Sequence, residues 1–520
     1  MSLGTTSVTG ASDLNYKYVF GPSYNYVGTA GQSFLGLDTN IGGPGSASDR
    51  LIVSGTAAGK TAINLWDTSA GPGTLNLTGI TLAAVNGASS NAFFLNGQTN
   101  PAHQVVGSPQ FDEYEPAVGP MGAIKKGLFF YPLLQDTPGF VAQGGSGAGS
   151  RYALFGLPDI EAFQLGILTT AAQNIWDQTA LGWLDRQDYV RNWMRRSELA
   201  ISGAANAGGG GADMPLPPRQ PPAPGYAYTP GPGVWVKSIG SLTDRDVSRS
   251  LGDILPAAAV LGNFDLSYKQ NIYAVIGGVD SGREVIFTPF DAVVIGLMGG
   301  YIDSTVNFKQ APTSFHFSGG TAGASVSYLN GGWFLDGLFK ADLLNASLNF
   351  PTLAAFGAQS ESTHATNIGG MANTGYRWEL GGRWANWYVE PIATLTYVST
   401  HIGDLSIAGL KANFPNGESF KGAAGLRVGD IWMSNALYEV DTSITGKVWD
   451  QFHTSNGVTL GLVGSNLFLD DQFAKVYGEF IGQLNVTSKG TGWSAFTNAS
   501  VQFNSDFVTV TGKGGVRYQW

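Results

Sequence analysis

Histidine and cysteine are the side chains whose spacing most often reveals chemistry, and this chain has five of the first and none of the second. Without cysteine there is no disulfide, no thiolate metal site and no thiol nucleophile. No G-x-S-x-G and no H-E-x-x-H occurs in the sequence, so two common signatures, the serine-hydrolase elbow and the zinc-protease helix, are missing. A Ser-His-Asp set ahead of residue 233 would have only His103 as its base. His316, His364, His401 and His453 each fall beside a different long connection. Such a set is raw material for a metal site or a pH-sensitive rim. Real ligand sets are spaced more tightly, however, and polar residues gather in loops by chance. The expectation is no enzyme, no metal and no cofactor within these residues.

The charges carry a clearer pattern. Trp333, Leu335, Gly337, Phe339 and Ala341 fall on one face of a strand, and Phe334, Asp336, Leu338, Lys340 and Asp342 on the other. Val476, Gly478, Phe480, Gly482 and Leu484 oppose Lys475, Tyr477, Glu479 and Gln483. Phe420, Gly422, Ala424, Leu426 and Val428 oppose Lys421 and Arg427. In a water-soluble sandwich the charged face would look outward. Composition favours the inverse here: 13% of residues are charged, against about 25% in soluble proteins. Aromatics reach 12% and glycine is counted 74 times. That balance suits a barrel with an apolar face in lipid and charges in its lumen. Trp378, Trp384, Trp387, Tyr388 and Trp432 gather near strand ends, where an interfacial girdle belongs. A net charge of −10 with pI near 5.0 argues against a nucleic-acid partner.

These residues need elements to hold them. Residues 233–520 divide into twelve alternating segments: about 233–245, 262–277, 291–306, 315–329, 332–348, 362–379, 385–401, 418–432, 435–449, 473–487, 491–503 and 507–520. An even count closes an up-and-down barrel with both ends on one side. Asn330-Gly331-Gly332 and Lys489-Gly490 mark tight turns, whereas 349–361, 402–417 and 450–472 are long. Short periplasmic turns and long outer loops are the outer-membrane rule. The last segment alternates Val508, Val510, Val516, Tyr518 and Trp520 with Thr509, Thr511, Lys513, Arg517 and Gln519, and stops on the aromatic.

Upstream the pattern changes three times. Residues 1–157 hold short apolar runs, such as Leu51-Ile52-Val53 and Ile80-Thr81-Leu82, between turn residues. They read as short strands, either of an ordinary all-β domain or of the last rungs of a parallel β-helix, and no strict repeat period separates the two. Residues 158–199 start with the helix signal Pro158-Asp159. Apolar residues then recur at Ile160, Phe163, Ile167, Ala171, Ile175, Thr179 and Trp183, before a strongly polar stretch from Asp185 to Glu198. That is either an amphipathic helix on a soluble domain or a helix threaded through a polar pore. Residues 200–232 carry a four-glycine run and eight prolines, a linker that builds no core. No stretch approaches 18 consecutive apolar residues, so no transmembrane helix is expected. The first residues have no basic or apolar leader. A protein bound for the outer membrane needs one, so the chain is expected to be the C-terminal portion of a longer protein.

In order and spacing, several segments resemble the autotransporters of type V secretion, pertactin-like class. The run from Leu37-Asp38 through Gly42-Gly43-Pro44-Gly45-Ser46-Ala47-Ser48-Asp49-Arg50-Leu51-Ile52-Val53-Ser54-Gly55 is similar to the family's last passenger region. Ala171-Ala172-Gln173-Asn174-Ile175-Trp176 with Trp183-Leu184-Asp185-Arg186 resembles the segment before the barrel. Asn330-Gly331-Gly332-Trp333-Phe334, Val389-Glu390-Pro391, Gly425-Leu426-Arg427-Val428-Gly429 and Gly512-Lys513-Gly514-Gly515-Val516-Arg517-Tyr518 are similar to its barrel motifs. Two features depart from the pattern: the family often ends on Phe where this chain has Trp520, and the proline-rich insert is long.

The resemblance implies an all-β fold: a 12-stranded antiparallel transmembrane β-barrel with a helix in its lumen, preceded by the end of a right-handed parallel β-helix. It implies residues 1–157 as the passenger's C-terminal autochaperone region, 158–199 as a pore-plugging helix, 200–232 as a linker and 233–520 as the translocator. The implied function is to anchor an adhesin-like passenger and export it to the cell surface, where folding supplies the bias that ATP cannot. Implied partners are outer-membrane lipid, the barrel-assembly machinery, periplasmic chaperones, the protein's own passenger and surface ligands. In the plug, Arg186, Arg191 and Arg195 are expected to face lumen carboxylates Asp336, Asp342 and Glu390, in a lumen also carrying Lys340, Lys421, Arg427, Lys475 and Glu479. Val516, Tyr518 and Trp520 are expected to form the assembly signal. Some relatives cut their passenger inside the pore at a helix Asn; here Asn174 and Asn192 stand apart with no Asn-Asn pair, which predicts no self-cleavage. The competing readings are a pore with a fused β domain and a carrier of an enzymatic domain lying upstream.

Overall fold

Alternating apolar and polar side chains can satisfy lipid on one side and a wet lumen on the other only if no backbone edge is left open. The computed structural model closes the ring with twelve antiparallel strands. They are β1 (Gly233–Arg245), β2 (Tyr268–Glu284), β3 (Asp291–Phe308), β4 (Ser314–Asn330), β5 (Trp333–Phe350) and β6 (Gln359–Tyr376), then β7 (Trp387–Ile402), β8 (Gly417–Ser434), β9 (Tyr438–Ser455), β10 (Val476–Ser488), β11 (Trp493–Phe503) and β12 (Phe507–Gln519). Each pairs with the next, and β1 also pairs with β12, from Gly233 opposite Gln519 to Arg245 opposite Phe507. Residues 17–20, 26–29, 33–95, 124–134, 149–206 and 232–520 are described, apart from 70, 90, 285, 289–290, 352, 354–355, 381–383, 385, 435–437, 463–464 and 489–490. Side chains are not described for Arg186 or for helix residues 188–206.

Two strands move furthest from their expected bounds: the second, from 262–277 to Tyr268–Glu284, and the ninth, whose end moves from 449 to Ser455. Residues 248–265 instead fold above the ring as a two-strand ladder, Ser248–Ser250 against Asn263–Asp265, around 3-10 turns at Leu251–Asp253 and Pro256–Leu261. The alternation around Phe264 belongs to that ladder. Two long connections also carry structure of their own. Leu405–Ile407, Leu410–Asn413, Gly457–Leu462 and Ser465–Asp470 form a four-stranded sheet outside the ring. The turn at Asn330-Gly331-Gly332 is tight, with Gly331 at φ 57°, a conformation cheap only for glycine. The turn expected at Lys489-Gly490 lies outside the described residues.

The outward face is apolar: Ile295, Leu297, Phe339, Leu343, Ile444, Val448 and Phe480 are all exposed. Trp333, Trp378, Trp384, Trp387, Trp432, Trp493 and Trp520 are exposed at the opposite end of the strands from Arg245 and form the periplasmic girdle. Tyr388 does not join them. It follows Trp387, so its parity is inward; it is buried, its hydroxyl donates to Asp441, and the Arg377 guanidinium lies 3.5 Å from its ring centre.

Ahead of the ring, strands stack in parallel in three columns. Lys17–Phe20 pairs with Arg50–Val53, which pairs with Asn76–Val85. Tyr26–Gly28 pairs with Ala57–Gly59, and Phe34–Thr39 with Thr61–Asp67 and then Phe93–Leu95. Phe34 meets Ala62, and Ala62 in turn meets Phe94, so successive circuits of one column differ in length, which is why the sequence has no strict period. The column ends in an antiparallel cap: Ser150–Pro158 runs against Asn76–Val85 and Phe129–Tyr131. Helix α1 (Ile160–Asn206) follows directly.

Candidate functional site

The site is the lumen and the helix that occupies it. Asp159 starts α1, its carboxylate accepting from the Ile160 amide at 2.8 Å. The sequence reads one apolar stripe, yet both faces are covered, since Glu161, Gln164, Gln173, Asn174, Asp177 and Asp185 are as buried as Ile167 and Ile175. Only an enclosing wall buries a helix all round, and buried polar groups then need wall partners.

Those partners descend the helix in order. At the mouth, Gln173 and Asn456 exchange two hydrogen bonds of 2.8 Å, and Thr170 lies against Asp471. Deeper, the Asn174 amide donates to Gln270 and Thr243. The Trp176 indole donates to the Lys340 carbonyl and lies 5.3 Å from the Lys340 ammonium. Gly369 makes room for it, since a Cβ there would stand 2.7 Å from the indole. Asp177 pairs with Lys421 at 2.6 Å and Asp185 with Lys513 at 2.7 Å. Lys237 donates to the Gly182 carbonyl, Gln483 to that of Asp185, and Ser327 to Gln187. A void of about 20 Å³ lies between Gln173, Asp177, Lys421 and Tyr477, room for about one water.

The wall carries its own ion pairs. Lys340 holds Asp342 at 2.5 Å, Arg427 holds Glu390 at 2.9 Å and Arg517 holds Asp280 at 2.7 Å. Glu479 accepts from Trp449 and Gln502 and lies 4.0 Å from Lys447. Asp336 accepts from Asn373. Of the expected lumen residues, Asp336, Lys340, Asp342, Glu390, Lys421, Arg427 and Glu479 are therefore all buried inside the ring. Lys475 is not: it precedes β10 and is exposed, and its carbonyl accepts from the Gln451 amide. Its alternation with Val476 is that of a loop end. The side chains of Arg186, Arg191 and Arg195 lie outside the described residues. Asp342 and Glu390 are matched by Lys340 and Arg427 instead. The polarity expected of the lock is reversed in the described part, with carboxylates on the helix and lysines on the wall. Asp177 carries no signal of its own in the sequence because it sits among apolar helix residues; Lys513 has inward parity on the last strand, but parity names no partner for it.

Three further features frame the lumen. At the mouth, Arg245 grips Asp471 through both its terminal nitrogens, at 2.7 and 3.0 Å, and also donates to the Gln472 carbonyl. At the neck, Lys125 pairs with Asp159 at 3.0 Å and Glu161 at 2.6 Å. Burial works against the Lys125 ammonium, but the two carboxylates outweigh it and hold its pKa above the ordinary lysine value. Burial and Asp159 together push the Glu161 carboxyl up. On the last strand, Val516 and Trp520 face outward and Tyr518 packs 4.9 Å from Trp493, while Arg517 is buried in the lumen. The four described histidines each meet one neighbour, Asp303, Asn345, Asn416 or Glu418. No group of three potential metal ligands occurs among the described residues, and His103 lies outside them.

Two family models match the chain. The autotransporter β-domain spans residues 261–468 and the type 1 autochaperone domain residues 8–105. No curated protein sequence matches. Among solved structures, the β domain of the Bordetella autotransporter BrkA is 16% identical, with TM-score 0.43 over 56% of this chain and 100% of that one. The translocator domain of NalP from Neisseria meningitidis is 13% identical, with TM-score 0.42 over 66% and 99%. The transport unit of AIDA-I from Escherichia coli is 13% identical, with TM-score 0.42 over 62% and 97%.

Proposed function

Because the chain belongs to the autotransporters, outer-membrane translocators that export a passenger, we propose that helix α1 is the retained end of that export, a plug holding the passenger at the cell surface. The observation that carries this reading is the enclosure of α1, with Asp177 and Asp185 paired to Lys421 and Lys513 inside the ring. Without the helix, both wall lysines would lose those carboxylates.

Residues 17–158 act as the membrane-proximal end of a β-helical passenger. Their three parallel columns support this, as does the cap that feeds straight into the plug. Such a column templates the next circuit along its open edge. Folding outside the cell then draws the remaining chain outward without ATP. The passenger is adhesin-like, presenting stacked strands. The barrel-assembly machinery and periplasmic chaperones are the partners that insert the ring, reading a terminal strand whose lipid face ends in Tyr518 and Trp520. The translocator itself is a transporter, not an enzyme.

Removing residues 158–200 and recording single-channel conductance in a planar bilayer tests the plug. The expected result is a larger, steadier conductance. Unchanged conductance would mean that the helix does not occupy the lumen.

A further inference from the structure

The column, the helix and the ring meet at one short hairpin that no motif singles out. Ile124–Lys126 and Phe129–Tyr131 pair antiparallel around Gly127 and Leu128. Its residues hold three different bodies. Lys125 pairs with Asp159 and Glu161 at the start of α1, and the Leu128 carbonyl accepts from the Asp159 amide. Lys126 turns to the column, donating to Asp67 and to both oxygens of Ser69. There the Tyr131 hydroxyl also donates to the Thr74 carbonyl at 3.0 Å and accepts from the Thr74 amide at 2.8 Å.

The rest of the hairpin meets three outer connections of the barrel. Phe130 stands edge-on to Phe264, between β1 and β2, with ring centres 6.0 Å apart. Gly127 lies against the other two. A Cβ built there would stand 3.5 Å from the Ala408 methyl, between β7 and β8, and 3.6 Å from the Phe356 ring, between β5 and β6. Leu128, Phe130, Phe264, Leu353 and Ala408 are all buried. Ala408 holds φ 49°, a left-handed backbone that is costly for alanine. Glycine would relieve the strain but would lose the methyl that meets the hairpin.

We propose that hairpin 124–131 is a keystone. Seated among the outer connections, it makes passenger, plug and barrel one rigid body, so that the passenger stands on the cell surface in one direction. A passenger joined to the barrel through residues 158–160 alone would swing about that neck, because few buried contacts would oppose the motion. The seat is a second anchor that uses none of the lumen's ion pairs. The proposal rests on reading residues 17–158 as the end of the exported passenger.

The test measures the width of one distance. The sequence holds no cysteine, so Lys60→Cys on the column and Ser347→Cys on the outward face of β5, both exposed positions, carry the only two spin labels in the full chain. Double electron–electron resonance in lipid nanodiscs should give one narrow distance distribution. Phe264→Ala with Phe356→Ala should broaden it by about twofold, as a freed joint widens the motion of what it carries. Gly127→Asn tolerates the left-handed turn but presses an amide against Phe356 and Ala408. It should broaden the distribution too, and serves if the double variant fails to fold, which heat-modifiable migration checks. Lys513→Met, in the lumen, should leave the width unchanged. A broad distribution in the native chain overturns the proposal, and so does an unchanged width in the seat variants. Equal broadening by Lys513→Met overturns it as well, by assigning the rigidity to the helix. Lys60→Cys closed to an impermeant maleimide on intact cells would overturn the passenger reading itself, whatever the widths.

Discussion

Lys513→Met isolates the lock at the foot of the plug. Both side chains of the Lys513–Asp185 pair are almost wholly buried, 2% and 6% exposed. Removing the lysine leaves a carboxylate enclosed between helix and wall, a loss of about 3–5 kcal/mol when one partner of a buried pair goes. The lower end applies here, because Lys237 reaches the adjacent helical turn through the Gly182 carbonyl. A change of about 3 kcal/mol moves the ratio of docked to undocked helix by more than a hundredfold. Asp185→Asn in the same chain removes the stranded charge, so the double variant should recover part of the loss. The non-additivity should be about 0.5–3 kcal/mol, as for side chains in direct contact. The assay is single-channel recording in a planar bilayer, scoring the fraction of time spent in the high-conductance state. Native protein should open rarely, Lys513→Met often, and the double variant at an intermediate frequency. Opening by Lys513→Met no more frequent than native, or strictly additive effects, would refute the claim that this pair holds the helix.

Trp176→Ala should also loosen the plug, by about 3–5 kcal/mol for a truncated buried aromatic; the same recordings should show it, and a quiet channel would count against it. Changing Tyr518 and Trp520 together to Asp should abolish outer-membrane insertion, whereas Gln519→Asn should do little; a folded, heat-modifiable band of the double variant in the membrane fraction would contradict this. At the neck, the Lys125 ammonium is favoured in the folded state, so its contribution is complete below the ordinary lysine pKa of 10.5 and fades as pH rises past it. Limited proteolysis between 157 and 162 should accelerate above that pH in the native chain and be rapid at every pH in Lys125→Met; equal rates in both would refute it. Folded protein should give a single band on a denaturing gel without added protease, because Asn174 is bound to Gln270 and Thr243; two fragments would show self-cleavage.

Much of the barrel was legible because lipid imposes a period-two code on every strand. Asp336, Lys340 and Asp342 on β5 could be placed in the lumen from parity alone, since one slip would put each into hydrocarbon. The same rule misleads where alternation is not a membrane strand. Lys475 has the right parity but precedes β10, and the residues around Phe264 alternate in a small ladder above the mouth. The sequence by itself also determined the existence of the helix, through Pro158-Asp159 and its apolar spacing, and the apolar face of the terminal strand. It could not determine which charges meet. Asp177 and Lys421 are 244 positions apart, and Asp185 and Lys513 are 328 apart. Such pairs exist only once the ring has closed and the helix has entered at one depth and one rotation. Those are properties of the assembled wall, because each helix carboxylate has several inward lysines within its reach until packing selects one.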